Sequence, residues 1–302
     1  MNLLYKIIYH PAINKAIRNL SLLFVNFLPS KFRISPSGKL KIVIDKHHGS
    51  FVLKTNQTSY ISRELFWDGS LDFEYTPIFI GLVKKVSVFF DIGANIGYYS
   101  ILGSTVNSKL TTHAFEPAIG ARTYLLENVK LNGLSDRIFV APFALMDRPG
   151  EIDFYEIRNK KYPSIYNLSG EHNIGTKTYK LSNKIRVRAT TLDNYFSDKD
   201  LQTLDLIKLD TEGAECFILK GATNTIQQQQ PIIICELLFN KIEKELEAIM
   251  SSHDYAFYAH TNDGLKLVDT LVREKDDGVR NVFFVPKSKL AFIEEWIINL
   301  KR

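Results

Sequence analysis

A chain of 302 residues with 45% hydrophobic and 24% charged side chains can bury a large core, which excludes the disordered, collagen-like and fibrous classes. Its formal net charge of +5 is uneven: residues 1–50 hold six Lys and two Arg against the single acid Asp45, a local +7 that leaves −2 for the rest. A basic balance confined to one end marks a contact surface there, and excludes a nucleic-acid-binding body whose cations line a groove or stripe.

In chain order, residues 1–30 place Lys and Arg every few positions among Leu, Ile and Phe, the pattern of a basic amphipathic segment that either packs on the domain or lies on an anionic membrane surface. The longest apolar stretch, 20–28, is too short to span a bilayer, and no small-residue cleavage site follows it. The alternation in 35–60, broken at His47-His48-Gly49, predicts a β-hairpin. Residues 1–60 are therefore read as an extension, and 61–302 as one α/β domain entered through a helix and loop over 62–80.

From there strands and helices alternate as in a parallel sheet wrapped by helices: strands over 86–90, 112–115, 138–142, 206–209 and 232–235, with helices over 97–103, 121–131, 214–220 and 240–250 between them. The four glutamines 227–230 read as a helix end. Residues 145–190, polar and rich in Gly, Ser and Asn, read as an insertion on the ligand side of the sheet. Strands at 255–258 and 281–285 flank a loop over 261–278, and the last of them returns antiparallel.

Three blocks carry chemistry. In VFFDIGANIGYYS, a strand runs into a glycine turn and a helix: Gly93 and Gly97 let backbone approach a ligand, Ala94 is small, Asn95 tolerates left-handed angles, and Asp91 can accept from a ligand ammonium or order the turn. The G-x-G-x-x-G spacing that cradles a pyrophosphate is missing, which argues against a nicotinamide-dependent oxidoreductase. The next strand ends in Glu116, followed by Pro117, where an acid can take both hydroxyls of a ribose. The third block, IKLDTEGAECFILKGA, gathers Asp210, Glu212 and Glu215 at the carboxyl edge of the sheet, and Glu236 closes the strand after it. Such carboxylates can orient a substrate, act as general base, hold a divalent ion, or merely cap the helix; no metal site is predicted.

Cys216 and Cys235 are too few for a disulfide framework and read as buried hydrophobes, in keeping with a reducing cytosol. His113 reads as a packed core histidine. His172, in the insertion, can touch a substrate or lie on the surface.

With these blocks read, the chain resembles the FkbM-type family of S-adenosylmethionine-dependent methyltransferases over about residues 60–290. The resemblance rests on DIGANIG (91–97), FEP (115–117), ENVKLNG (127–133) and LIKLDTEGAECFILKGA (206–222). It implies a class I, Rossmann-like doubly wound sheet of seven strands with the last antiparallel. It implies S-adenosylmethionine as cofactor, held by Asp91, Gly93, Asn95, Gly97 and Glu116, with Ala144 beside the adenine. It also implies methyl transfer to a hydroxyl of a sugar, glycan or secondary metabolite, with Asp210, Glu212, Glu215 and Glu236 as the catalytic candidates. A non-catalytic binding protein using the basic end at the inner membrane surface is the remaining alternative.

Overall fold

The computed structural model describes residues 3–158, 164–176 and 182–298; stretches 159–163 and 177–181 of the expected insertion lie outside the described residues. Helices α1 (Leu3–Ile8) and α2 (Pro11–Leu22) precede an antiparallel hairpin, β1 (Gly38–Asp45) and β2 (Gly49–Thr55). Helices α3 (Tyr60–Trp67) and α4 (Thr76–Val83) lead into the central sheet through β3 (Val88–Ile92), followed by α5 (Tyr98–Val106), β4 (Thr111–Phe115), α6 (Ile119–Leu131) and β5 (Ile138–Ala141).

Next comes a small sheet of β6 (Ala144–Leu145), β7 (Gly150–Ile157) and β8 (Ser182–Thr190), then α7 (Leu192–Asp198), β9 (Leu206–Leu209), α8 (Glu215–Lys220), α9 (Thr223–Gln229) and β10 (Ile232–Glu236). Helix α10 (Glu243–Met250) and strands β11 (Tyr255–Thr261), β12 (Gly264–Val268) and β13 (Asn281–Pro286) complete the order.

The central sheet has eight strands in the order β12-β11-β13-β10-β9-β3-β4-β5. Its middle is parallel, and β13 inserts antiparallel between β10 and β11. This is the doubly wound class I arrangement with one strand beyond the seven expected. The addition is β12, which falls in the stretch read as loop. Residues 261–264 (Thr-Asn-Asp-Gly) make a tight turn that pairs Thr261 with Gly264, and Leu265 then buries fully while Lys266 stays exposed at the sheet edge. Within the insertion, the strand-like pieces read at 152–155 and 185–187 lie in β7 and β8, which pair antiparallel from Gly150 with Ala189 to Ile157 with Ser182.

The central strands are buried on both faces, which is why VFF, LIKL and IIIC read as continuous apolar runs instead of alternating ones. Their carboxyl ends all point to one edge, where the loops after β3, β4, β9 and β10 meet.

The hairpin is attached to this body by an amide ladder. Asn132 Oδ1 accepts from Val52 N (2.8 Å) and its Nδ2 donates to Val52 O (2.7 Å). One helical turn away, Asn128 Oδ1 accepts from Lys54 N and its Nδ2 donates to Lys54 O (3.1 Å) and to Ile96 O (3.0 Å). The i,i+4 spacing on α6 thus matches the two-residue repeat of one edge of β2, so two side-chain amides stand in for a neighbouring strand and cover that edge.

Asn128 is fully buried. Asn128→Ala strands the Lys54 and Ile96 groups and is expected to cost roughly 2–3 kcal/mol, whereas Asn132→Ala, at a more open position, costs about 1 kcal/mol. Urea unfolding followed by far-UV circular dichroism measures both; equal, negligible losses would show that the ladder contributes nothing to holding the hairpin.

Candidate active site

At the carboxyl edge lies a cavity of about 250 Å3. Its floor and walls come from the loop after β3 (Gly93, Ala94, Asn95), the end of β4 (Glu116, Pro117), the residues around β6 (Phe143, Ala144), the loop after β9 (Asp210, Glu212) and the end of β10 (Glu236). Tyr60, Phe73 and Glu74 close it from the α3–α4 side, and Phe154 with residues 169–174 of the insertion close it from the other.

Asp91 does not line the cavity. It is buried below the loop, where its Oδ2 accepts from Ser100 Oγ (2.6 Å) and Ser100 N (3.1 Å) and so fixes the first turn of α5. Its Oδ1 lies 3.5 Å from Lys208 Nζ, which is also 3.3 Å from Asp210 Oδ2 and donates to Gly93 O at 3.2 Å. Burial alone lowers the Lys208 pKa, but Asp210 and Asp91 override it and hold the ammonium protonated well above its ordinary value.

Gly93 and Gly97 are required by protein packing, not by room for a ligand. Gly93 has φ near +77°, and a Cβ there would sit 1.8 Å from Asp210 O; at Gly97, φ near +91°, it would meet Leu125 Cδ1 at 2.4 Å. Gly97 lies outside the cavity lining. Asn95 takes φ near +50°, the left-handed angle its residue type tolerates, and faces the cavity.

Glu116 clamps two loops together. Its Oε2 accepts from Asn95 N (2.8 Å) and its Oε1 from Ala118 N (2.9 Å). Burial pushes its carboxyl up to about 7, opposed by those two N–H groups. Each oxygen keeps a second lone pair, and the residue lines the cavity.

The third block divides. Asp210 is half-exposed at the cavity and Glu212, at φ near +58°, lines it. Glu215 is a correction to its place among the catalytic candidates: it is fully buried, outside the lining, and its Oε1 accepts from Thr211 N (2.8 Å) and Thr211 Oγ1 (2.7 Å). The carboxylate braces the turn before its own helix, the ordinary use of an acid at that position. Glu236 lines the cavity from the next strand.

His172 lies at the wall with both nitrogens occupied: Ile157 N donates to Nδ1 (2.9 Å) and Nε2 donates to Asn167 O (3.0 Å). That pattern is the neutral tautomer, and burial lowers its pKa further, so it braces the insertion and is not poised for acid–base work. His113 is a core residue as expected, bonded to Tyr195 OH at 2.7 Å and held by burial near a pKa of about 4.

The residue that the sequence did not mark is Glu74. It faces the cavity with exposed surface, yet the enclosing walls strip water from its carboxyl; burial, then the charge of Asp210, push it up to about 7. Tyr99 OH donates to its Oε2 at 2.9 Å. Nothing local in Phe-Glu-Tyr-Thr-Pro announces this, because its position depends on where α4 packs. Among the described residues, no three His, Cys, Asp or Glu side chains gather in a way that could hold a metal ion.

A doubly wound sheet with a glycine turn after its first strand and an acid ending the second is an arrangement on which α/β proteins hold nucleosides. A family model described as the methyltransferase FkbM domain matches residues 91–257, more than half of the chain, and the chain belongs to that family. Among curated relatives, the 2-O-methyltransferase NoeI of Sinorhizobium fredii is 29% identical over 151 residues, 48% of this chain and 61% of its own length. The hexuronic acid methyltransferase AglP of Haloferax volcanii is 27% identical over 155 residues, 50% of this chain and 56% of its own. The chain thus spans less than two thirds of either relative. A crystal structure of methyltransferase FkbM from Methylobacillus flagellatus KT aligns with 66% of this chain and 43% of that one, at 16% identity and a TM-score of 0.42.

Lys208 offers a direct test of the buried charge cluster. Lys208→Met leaves Asp91 buried without a counter-charge and is expected to cost roughly 3–5 kcal/mol. Adding Asp91→Asn recovers part of it, with a coupling of roughly 1–3 kcal/mol in a double-mutant cycle read by thermal or urea unfolding. Strict additivity would show that the two groups do not interact.

Proposed function

We propose that this chain transfers a methyl group from S-adenosylmethionine to an oxygen of a sugar, glycan or metabolite. The observation that carries the reading is the acidity of the cavity: five carboxyl groups (Glu74, Glu116, Asp210, Glu212, Glu236), of which Glu74 and Glu116 are part-ionised near neutrality, against one ammonium, Lys208, among aromatic walls that include Tyr60, Phe73, Phe115 and Phe143. S-adenosylmethionine carries a sulfonium and an ammonium against one carboxylate, so it is a net cation, and acids and aromatic faces suit it better than they suit a pyrophosphate.

The residues fit that group. Glu116, with one lone pair free on each oxygen, would hold the ribose hydroxyls. The backbone of Gly93, Ala94 and Asn95, ordered from below by Asp91 and Gly97, would face the amino-acid end, and Pro117 and Ala144 would flank the adenine. When bound, the cofactor supplies a methyl on a positively charged sulfur. The chain supplies alignment, exclusion of water and a proton acceptor. Glu74, at the cavity wall, is the acceptor we assign, with Asp210 and Glu236 orienting the substrate. As the new O–C bond forms, the bond from the methyl to sulfur would break with its electron pair kept by sulfur, leaving the neutral thioether nucleoside, and the hydroxyl proton would pass to the Glu74 carboxylate, which must be ionised beforehand.

The names of two relatives, one for an O-methyl product and one for a sugar acid, support an oxygen acceptor on a carbohydrate. Calorimetry on the intact chain is expected to give saturable binding of S-adenosylmethionine and of its demethylated product and none of NAD. Glu116→Ala is expected to weaken cofactor binding by roughly 10- to 100-fold. Absence of saturation by either nucleoside overturns the proposal.

With a methylated acceptor identified by label transfer from extract fractions, Glu74→Gln is expected to lower kcat by roughly 100-fold or more with little change in cofactor affinity. The wild-type rate rises with pH and levels above about 7, since only the deprotonated form accepts a proton. A Glu74→Gln enzyme with the same kcat and the same pH profile as wild type would move the proton acceptor elsewhere.

A further inference from the structure

The N-terminal helices dock with the wrong face for a helix that merely covers the domain. The buried residues of α2 are Asn14 and Arg18. Asn14 Oδ1 accepts from Ser37 N and Arg18 Nε (both 2.8 Å), and the Arg18 guanidinium lies 4.5 Å over the Phe66 ring. The polar side chains thus hold the helix to the hairpin and to α3.

The apolar ones point away. Ile13, Ala16 and Leu20 share a stripe at three- and four-residue spacing on the other side of α2, and Leu23, Phe24 and Phe27, just past its end, are exposed as well. Phe27 is 87% exposed, Leu23 75% and Leu20 62%, while Leu3 and Leu4 of α1 are also open. Isolated exposed apolar residues are ordinary, but a contiguous stripe on one element is a contact surface.

Its charge selects the partner. Residues 1–44 hold seven cations, including the exposed Lys6, Lys15 and Lys31, and no acid at all. A second copy of this chain would set that charge against itself, since the carboxylate recorded beside the segment, Asp68, is already paired with Arg33 at 2.9 Å, and this disfavours self-association. A partner that is anionic over its whole surface and apolar just beneath matches both features, and an anionic bilayer has that layering.

We infer that residues 3–32 lie on an anionic lipid surface, with Leu20, Leu23, Phe24 and Phe27 inserted at the headgroup–acyl boundary and the lysines against lipid phosphates and carboxylates. The inference is independent of the reaction assigned to the cavity. It places an acceptor of the chemistry proposed above at, or tethered to, that surface.

The test is sedimentation of the full-length protein with vesicles of phosphatidylcholine alone and of phosphatidylcholine with phosphatidylserine. Binding is expected only to the mixed vesicles and is expected to weaken as salt is raised. Leu23→Ser with Phe27→Ser, and separately Lys6→Glu with Lys15→Glu and Lys31→Glu, should each lower the partition coefficient; the charge reversals should do so roughly 100-fold. All these positions are exposed, so the variants should keep wild-type circular dichroism, melting temperature and nucleoside binding. Equal binding to both vesicle types, or to neither, overturns the inference. So does a concentration-dependent dimer, seen by analytical ultracentrifugation, that the Leu23/Phe27 change abolishes.

Discussion

The geometry of the site depends on one buried ammonium. Lys208 sits in the middle strand of an apolar sheet, where an unpaired charge is prohibitively costly, and it is stabilised because Asp91 of β3, Asp210 at the end of its own strand and the Gly93 carbonyl all turn toward it. Meeting that demand draws the ends of β3 and β9 so close that no side chain fits between them, hence the glycine whose absent Cβ would collide with Asp210 O. The glycine turn and the acidic block, separate signals in the sequence, are two halves of one electrostatic arrangement.

Around this cluster, acids of the same type are sorted by environment. Asp91 is committed to Ser100 and Lys208, Glu215 is folded back on Thr211, and both are sealed from the cavity. Glu116 and Glu74 are pushed up to about 7 by burial, so their protonation changes near neutrality. A carboxyl whose folded pKa lies above its usual value favours its neutral form in the fold. The stability it contributes is therefore full at low pH and fades as pH rises through about 7. A bound cation in the cavity opposes that loss by favouring the ionised forms.

Much of this was legible in the chain itself, for physical reasons. Buried strands read as apolar runs ending in acids because the doubly wound sheet buries both faces and exposes only the carboxyl ends. The blocks at 91–97, 115–117 and 206–222 each combine a strand, a turn residue and a helix, so pattern and fold agree. What was not legible depended on contacts between distant segments. The eighth strand hides in a stretch whose Asn-Asp-Gly turn is a local signal but whose pairing partner is not. Glu215 could not be told from Glu212 by spacing, since both follow the same strand and only packing decides which one turns inward. The Asn128 and Asn132 ladder stands inside ENVKLNG, a run that the sequence marks as a family feature without saying that its amides pair with Val52 and Lys54.

The two sides of the cavity differ in origin, and the difference bears on specificity. The loops after β3, β4, β9 and β10 lie within residues 91–257, the span matched by the family model, and they offer the glycine turn, Glu116 and Asp210. Tyr60, Phe73 and Glu74 precede that span and reach the cavity from α3 and the turn before α4. Helix α3 packs against β1 of the hairpin, which Asn128 in turn ties to Ile96 at the foot of the glycine loop. A common nucleoside needs a common wall, whereas acceptors that vary need a wall free to vary. On the proposed reading, the residues before 91 are where this chain recognises its own substrate, and the amide ladder keeps that recognition wall in register with the cofactor wall.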